Sequence, residues 1–286
     1  MRCSVESTHV TLVVLTGATR GIGQAAAVEL ARRGAELALV GRDWERVAAV
    51  AGEAKGTGGG APIHEHVADL TLMADVRRLA DELGSQYDHI DVLANNAGAL
   101  FAHRKETSEG LERTFALNHL APFLLTNLLR EKLSGGRVVT TASDAHNQGR
   151  LDLDDLQSKN SYSAFRAYGT SKLCNILFTR ELARRAPELQ ANCFHPGTIR
   201  TGFGKNESGF WKIGITLAGP FMRSPERGAR SLVWLALSEE AAELDGEYIE
   251  NEKVATPSEQ ARDDTLAREL WERSAALVDL PADAYA

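Results

Sequence analysis

Residues 10–34 read VTLVVLTGATRGIGQAAAVELARRG. The run Val10 to Leu15 is short and apolar, which predicts a buried strand. Thr16-Gly17-Ala18-Thr19-Arg20-Gly21-Ile22-Gly23 follows it. Gln24 to Arg33 then carries Ala26, Ala27, Leu30 and Ala31 at helical spacing, and Gly34 closes the helix. Strand, glycine turn and helix, in that order, form a unit suited to phosphate. Glycines let the backbone turn tightly and approach a ligand, and the helix start offers free N–H groups at the positive end of its dipole. A plain tight turn is the alternative reading. The spacing Gly-x-x-x-Gly-x-Gly differs from the Gly-x-Gly-x-x-Gly of most dinucleotide folds.

Glu36 to Val40 reads as the second strand and ends in Gly41-Arg42-Asp43. In a dinucleotide fold this strand end meets the adenosine ribose. A carboxylate there suits a free 2′-hydroxyl, and an arginine suits a 2′-phosphate. Arg42 holds the position and Arg20 can converge on it, while Asp43 is better placed as a helix N-cap. The pattern favours NADP(H) over NAD(H).

Strands and helices alternate through the rest of the chain. Residues 44–55 read as a helix and Ile63 to Val67 as a third strand. At its end, Asp69 and Leu70 contact an adenine, or Asp69 caps the helix from Thr71 to Gln86. Ile90 to Ala94 is a fourth strand. It runs into Asn95-Asn96-Ala97-Gly98, small residues that let the backbone lie against a flat ligand, or else plain turn formers. Thr107 to Leu117 and His119 to Leu133 read as helices. Between them Asn118 is polar in apolar surroundings, so it must bond backbone or water and opens the helix locally. Arg137 to Ala142 is a fifth strand, delivering the Ser143 hydroxyl to the rim where ligands sit. Residues 144–163 are turn-rich. Ala191 to Phe194 is a sixth strand, followed by His195-Pro196-Gly197-Thr198. Ser224 to Leu237 reads as a helix, Gly246 to Glu250 as the last strand and Pro257 to Val278 as a terminal helix. The implied fold is one α/β domain over residues 1–286: a Rossmann-like, doubly wound parallel sheet of about seven strands with helices on both faces.

Tyr168-Gly169-Thr170-Ser171-Lys172 is the candidate seat of the chemistry, with an ordinary Tyr/Lys pair on a surface helix as the alternative reading. The apolar spacing of Leu173, Ile176, Leu177 and Leu182 predicts a helix, on which residues four apart share a face. A free phenol, with a pKa of ~10, is a poor proton donor or acceptor at neutral pH. An ammonium at ~4 Å, at an effective dielectric of ~20, attracts a phenolate by ~4 kcal/mol, enough to bring the phenol toward neutrality.

Residues 199–223 are glycine-rich and carry Phe203, Phe210, Trp211, Ile213, Leu217 and Phe221. They read as a lid over a hydrophobic pocket, or as a membrane-touching or docking segment. The net charge of −7 argues against nucleic acid or an anionic membrane as the main partner. Three scattered cysteines imply neither a disulfide framework nor a metal site. No run is long and apolar enough to span a membrane. The expected setting is the cytoplasm, with a small-molecule substrate, no metal, and helices near 119–133 and 164–186 available for a homo-oligomer.

Taken together, Thr16 to Gly23, Asp69, Asn95 to Gly98, Asn118, Ser143, Tyr168 to Lys172 and Pro196-Gly197 resemble the short-chain dehydrogenase/reductase family over nearly the whole chain. Leu117 to Thr126, Leu153-Asp154-Asp155-Leu156 and Ala167 to Asn175 are similar to its retinol-dehydrogenase-like branch, without the N-terminal membrane anchor of many animal members. That branch also includes bacterial ketoreductases of bulky aromatic polyketides. The resemblance implies roles. Tyr168 is the acid–base, Lys172 lowers its pKa and holds the nicotinamide ribose, and Ser143 bonds the substrate oxygen. Asn118 holds a water joining Lys172 to solvent. Pro196, Gly197 and Thr198 pack beside the nicotinamide, and Thr201 is a further cofactor contact. The implied activity is NADP(H)-dependent interconversion of a bulky apolar aldehyde or ketone and its alcohol. A non-catalytic dinucleotide sensor is the rival from another class.

Overall fold

The computed structural model describes residues 9–197 and 224–281. Thr198, Thr201 and the whole segment 199–223 lie outside the described residues.

Eight strands form one sheet: β1 (Leu12–Thr16), β2 (Glu36–Gly41), β3 (Ile63–Val67), β4 (Val92–Asn95), β5 (Arg137–Thr141), β6 (Gln190–His195), β7 (Tyr248–Glu250) and β8 (Lys253–Val254). Their order is β3-β2-β1-β4-β5-β6-β7-β8, parallel except for the antiparallel β7–β8 pair. The chain builds outward from β1 to β3, then returns to lay β4 on the other side of β1. That reversal opens a crevice at the carboxyl ends of β1 and β4, the position where such sheets take ligands.

Both faces of the sheet are covered, which is why its central strands are apolar without alternation. Val13, Leu15, Leu37 and Leu39 pack against α1 (Gly21–Arg32), α2 (Trp44–Lys55) and the helix Pro225–Leu237 through Ala26, Leu30, Val47 and Leu232. Val14, Ala38 and Leu93 point the other way, into a layer with Leu79 of α3 (Met73–Gln86), Leu120 and Leu177. The helix of Leu177 is Ala164–Arg185, and Asp264–Leu277 packs on its outside. Following α4 (Ala121–Leu128), these last two are α5 (Ala164–Arg185) and, after α6 (Pro225–Leu237), α7 (Asp264–Leu277).

The structure departs from the sequence reading in four places. The sheet has an eighth strand. The β7–β8 reversal uses positive φ at Asn251 (53°) and Glu252 (59°), with no glycine to announce it. Residues 107–112 are a closed loop rather than a helix: Gly110 adopts φ 76°, and Thr107 N–H donates to Leu111 O. Helix starts only at Arg113, where the buried Glu112 carboxylate accepts from Thr114 N and Phe115 N. The terminal helix begins at Asp264 rather than near Pro257, because Asp263 caps it by accepting from Thr265 N and Leu266 N. Finally, α3 is capped from a distance. Its Met73 and Ala74 N–H groups donate to Glu109, at 2.6 and 2.9 Å.

Candidate active site

The glycine turn is fastened across the β1–β4 crevice. Thr16 Oγ1 donates to Ala94 O (3.1 Å) and accepts from Asn96 N (3.0 Å) and Ala97 N (3.1 Å). Asn96 Nδ2 returns to Thr16 O (3.0 Å) and Gly17 O (3.3 Å). Asn95, fully buried, donates to Thr126 Oγ1 (3.0 Å). Asn95 and Asn96 are therefore struts that fix the floor of the crevice, beyond the turn-forming role open from sequence. Gly17 sits at φ 66°, and a Cβ on Gly23 would lie 2.1 Å from Gly17 O. Only glycine allows that approach.

Helix α1 starts straight from this turn. Its N-cap, Arg20, makes no side-chain cap bond, so the first-turn N–H groups have no side-chain partner there. Arg20 and Arg42 are both exposed. Asp43 does cap α2, accepting from Arg46 N at 3.2 Å. Asp69 is used locally: its carboxylate accepts from Thr71 N (3.0 Å) and Thr71 Oγ1 (2.8 Å), a turn just ahead of α3. The capping role open to it from sequence belongs to Glu109. A glycine turn that admits no side chain, an uncapped helix start and two exposed arginines fit a dinucleotide phosphate chain.

Strand β5 and helix α5 assemble the second half of the site. Lys172 is buried at 3% exposure, and its Nζ donates to Thr141 O at 2.8 Å. Thr141 is the last residue of β5, two before Ser143. Tyr168 lies one turn earlier on the same helix, with Lys172 Nζ 5.6 Å from the centre of its ring. A hydrogen bond links Tyr168 to Ser143. His195, at the end of β6, accepts from Asp144 N at 3.1 Å, bringing Pro196 and Gly197 to the rim next to Ser143. Thus Ser143, Tyr168, Lys172 and the Pro196-Gly197 turn converge at one edge of the sheet.

The electrostatics correct one expectation. Burial pushes the Tyr168 phenol up, to about 12, and the hydrogen bond with Ser143 only partly offsets this. Burial also pushes the Lys172 ammonium down, to about 8. Desolvation of the phenolate, which a pairwise Coulomb attraction does not include, is the largest effect on this phenol. At neutral pH the phenol is neutral and the amine charged.

Asn118 lies at 1% exposure inside a π-helical turn, Ala116–Leu120, between Arg113–Phe115 and α4. The local opening expected there is present. Its amide accepts from Ala99 N (2.9 Å) and donates to Ala99 O (2.9 Å) and Ser171 Oγ (2.9 Å). It thereby ties the segment after Gly98 to the helix of Tyr168 and Lys172. π-Bulges of this kind cluster at functional sites.

A model of the short chain dehydrogenase family matches residues 11–209. The chain belongs to the short-chain dehydrogenase/reductase family. It is 45% identical over 269 residues to a Streptomyces sp. (strain C5) protein named as a daunorubicin C-13 ketoreductase, covering 93% of this chain and 92% of that one. It is 37% identical over 281 residues to human retinol dehydrogenase 13, covering 94% and 85%. These relatives place it in the retinol-dehydrogenase-like branch. An uncharacterised Mycobacterium paratuberculosis protein of known structure superposes with a TM-score of 0.77 at 32% identity, covering 94% of each chain. Pseudomonas aeruginosa RhlG, solved with NADP, gives 0.67 at 25% identity, covering 90% and 96%. As a short-chain dehydrogenase the chain is an oxidoreductase with a fold for nicotinamide dinucleotides. Among the described residues, no helix is long and apolar enough to cross a membrane, and no three His, Cys, Asp or Glu gather as a metal site.

Two partners of the site escaped the sequence reading. Asn175 Nδ2 donates to the same Thr141 carbonyl as Lys172, at 3.1 Å. Thr16 Oγ1 organises the crevice floor. Asn175 stands three residues after Lys172, on the same helix face, a spacing that could have marked it.

Proposed function

We propose that the protein reduces the carbonyl of a bulky apolar ketone or aldehyde with NADPH. The support is the convergence of Ser143, Tyr168 and Lys172 on one rim beside the dinucleotide crevice. The bound nicotinamide supplies the hydride. The chain's own residues then have three tasks. Ser143 donates a hydrogen bond to the carbonyl oxygen and fixes the substrate's orientation. Tyr168 gives its proton to that oxygen as alkoxide character develops. A phenol near 12 suits this task. It is fully protonated at neutral pH, yet still a stronger acid than an alcohol. Lys172, charged below about pH 8, stabilises the phenolate left behind. A protonated phenol is the form that donates the proton in reduction, and the phenolate is the form that accepts it in the reverse oxidation.

NADP(H) is favoured over NAD(H) because Arg20, in the glycine turn, and Arg42, just after β2, are both exposed and are of the type that suits a 2′-phosphate. The relative named for daunorubicin C-13 ketoreduction and the human retinol dehydrogenase suggest the substrate class: an aromatic polyketide ketone, or a retinal-like aldehyde. The test is NADPH consumption against a panel of aromatic polyketide ketones, quinones and retinal-type aldehydes. Saturable turnover of a polyketide ketone is expected. No turnover across the panel, or turnover with NADH alone, would overturn the reading.

A further inference from the structure

Beneath the site runs a buried polar chain that reaches the outermost helix. Ser274 of α7 is fully buried and bonds His119 Nε2 at 2.8 Å. His119, at 1% exposure, is walled in by Phe115, Phe123 and Phe178, with ring centres 5.1, 6.1 and 6.4 Å away. Asn175, at 2% exposure, donates through Nδ2 to Thr141 O, the oxygen that holds Lys172.

The orientation of each group follows from its neighbours. Thr141 O can only accept, so the Asn175 nitrogen must face it and Asn175 Oδ1 must face away. Asn175 Oδ1 and His119 Nδ1 are both buried, and among the described residues neither has a hydrogen-bond partner. The Asn175 amide lies near enough to the ring to favour a proton on it. An Nδ1–H donor on His119 would supply the partner that Asn175 Oδ1 lacks, and Asn175 Oδ1 the one that Nδ1 lacks. Nε2 then accepts from the Ser274 hydroxyl. Burial holds the imidazole neutral, down to about 3, so the ring carries a single proton across the working range.

We infer that Asn175 is a positioning residue for the Ser143–Tyr168–Lys172 site, and that His119, in its Nδ1–H tautomer braced by Ser274, locks the Asn175 amide. Asn175 ties the end of β5, which carries Ser143, to the helix that carries Tyr168 and Lys172. The same carbonyl fixes the lysine ammonium. The catalytic half of this inference rests on the proposed carbonyl reduction; the tautomer half does not.

Two measurements test it on the full chain. The first is the ¹⁵N NMR signature of His119 at pH 7, taken with and without Asn175→Leu. The inference expects the Nδ1–H form in the parent and a changed signature in the variant. An Nε2–H form in the parent overturns it. The second is steady-state reduction of an aromatic ketone by NADPH, with NADPH affinity measured separately by fluorescence. Asn175→Leu should lower kcat tenfold or more while KM and NADPH affinity stay within about threefold. His119→Asn, which keeps a donor at the δ position, should retain more kcat than His119→Phe. Equal kcat in Asn175→Leu and parent, or equal loss in the two His119 variants with all proteins folded, overturns the positioning role. A parent enzyme inert toward every ketone with NADPH would sink the functional reading instead, and the NMR result would still decide the tautomer.

Discussion

Lys172 Nζ lies 2.8 Å from Thr141 O, inside the protein and two residues from Ser143 along the strand. A cation has been placed in the interior with a neutral carbonyl as its described anchor. Burying an ammonium is unfavourable, and under the proposed reaction its use is to stabilise a forming phenolate.

That arrangement predicts a trade of stability against activity. The Lys172 pKa falls from 10.5 to about 8 on folding. Below about pH 8 the amine is charged in both states and its burial costs folding up to ~3 kcal/mol. Between about 8 and 10.5 the unfolded chain binds the extra proton, so this cost is relieved as pH rises. Lys172→Met should therefore raise the urea midpoint of the ligand-free protein at pH 7 by an equivalent of about 1–3 kcal/mol while abolishing turnover. Its advantage over the parent should shrink from pH 8 to 10. A variant less stable than the parent at pH 7 would show that the Thr141 bond outweighs desolvation.

Arg42→Ala should weaken NADPH binding by about 10–100-fold, the loss of one charge-assisted phosphate contact, and leave NADH binding within about threefold. Isothermal titration with both cofactors is the check. Equal changes for the two would remove the 2′-phosphate role.

Gly23→Ala places a methyl 2.1 Å from Gly17 O, so the turn must move. We expect dinucleotide affinity to fall at least tenfold, with a stability loss of about 1–3 kcal/mol from overpacking. Binding unchanged in a folded variant would show that the turn does not form the phosphate cradle.

Asn118→Leu removes the three hydrogen bonds that join Ala99 to Ser171 and leaves the Ala99 N–H without its partner. A loss of about 2–4 kcal/mol in urea unfolding is expected, together with a lower kcat. Full activity in this variant would reduce the π-helical turn to a packing detail.

Much of this was legible in the chain. The glycine turn, the alternating elements and the break at Asn118 follow from glycine spacing, apolar runs and one misplaced polar residue. The end of α2 at Lys55 and the bounds of β3, Ile63–Val67, match the sequence reading. What was not legible depends on distant partners. Nothing local says that Glu109 caps α3, or that the Asn251-Glu252 reversal adds a strand without glycine. His119 and Asn175 sit in apolar helical runs and read as core; only the tertiary structure joins His119 to Ser274 and Asn175 to the Thr141 carbonyl that also holds Lys172. The phenol's acidity was misjudged because a pairwise charge argument carries no desolvation.

The central claim is that the Tyr168 hydroxyl delivers the proton. Tyr168→Phe should bind NADPH within about threefold of the parent and reduce an aromatic ketone at least ~10²-fold more slowly in kcat, the ordinary contribution of a positioned acid. Turnover within about tenfold of the parent would contradict the account and assign the proton to another group.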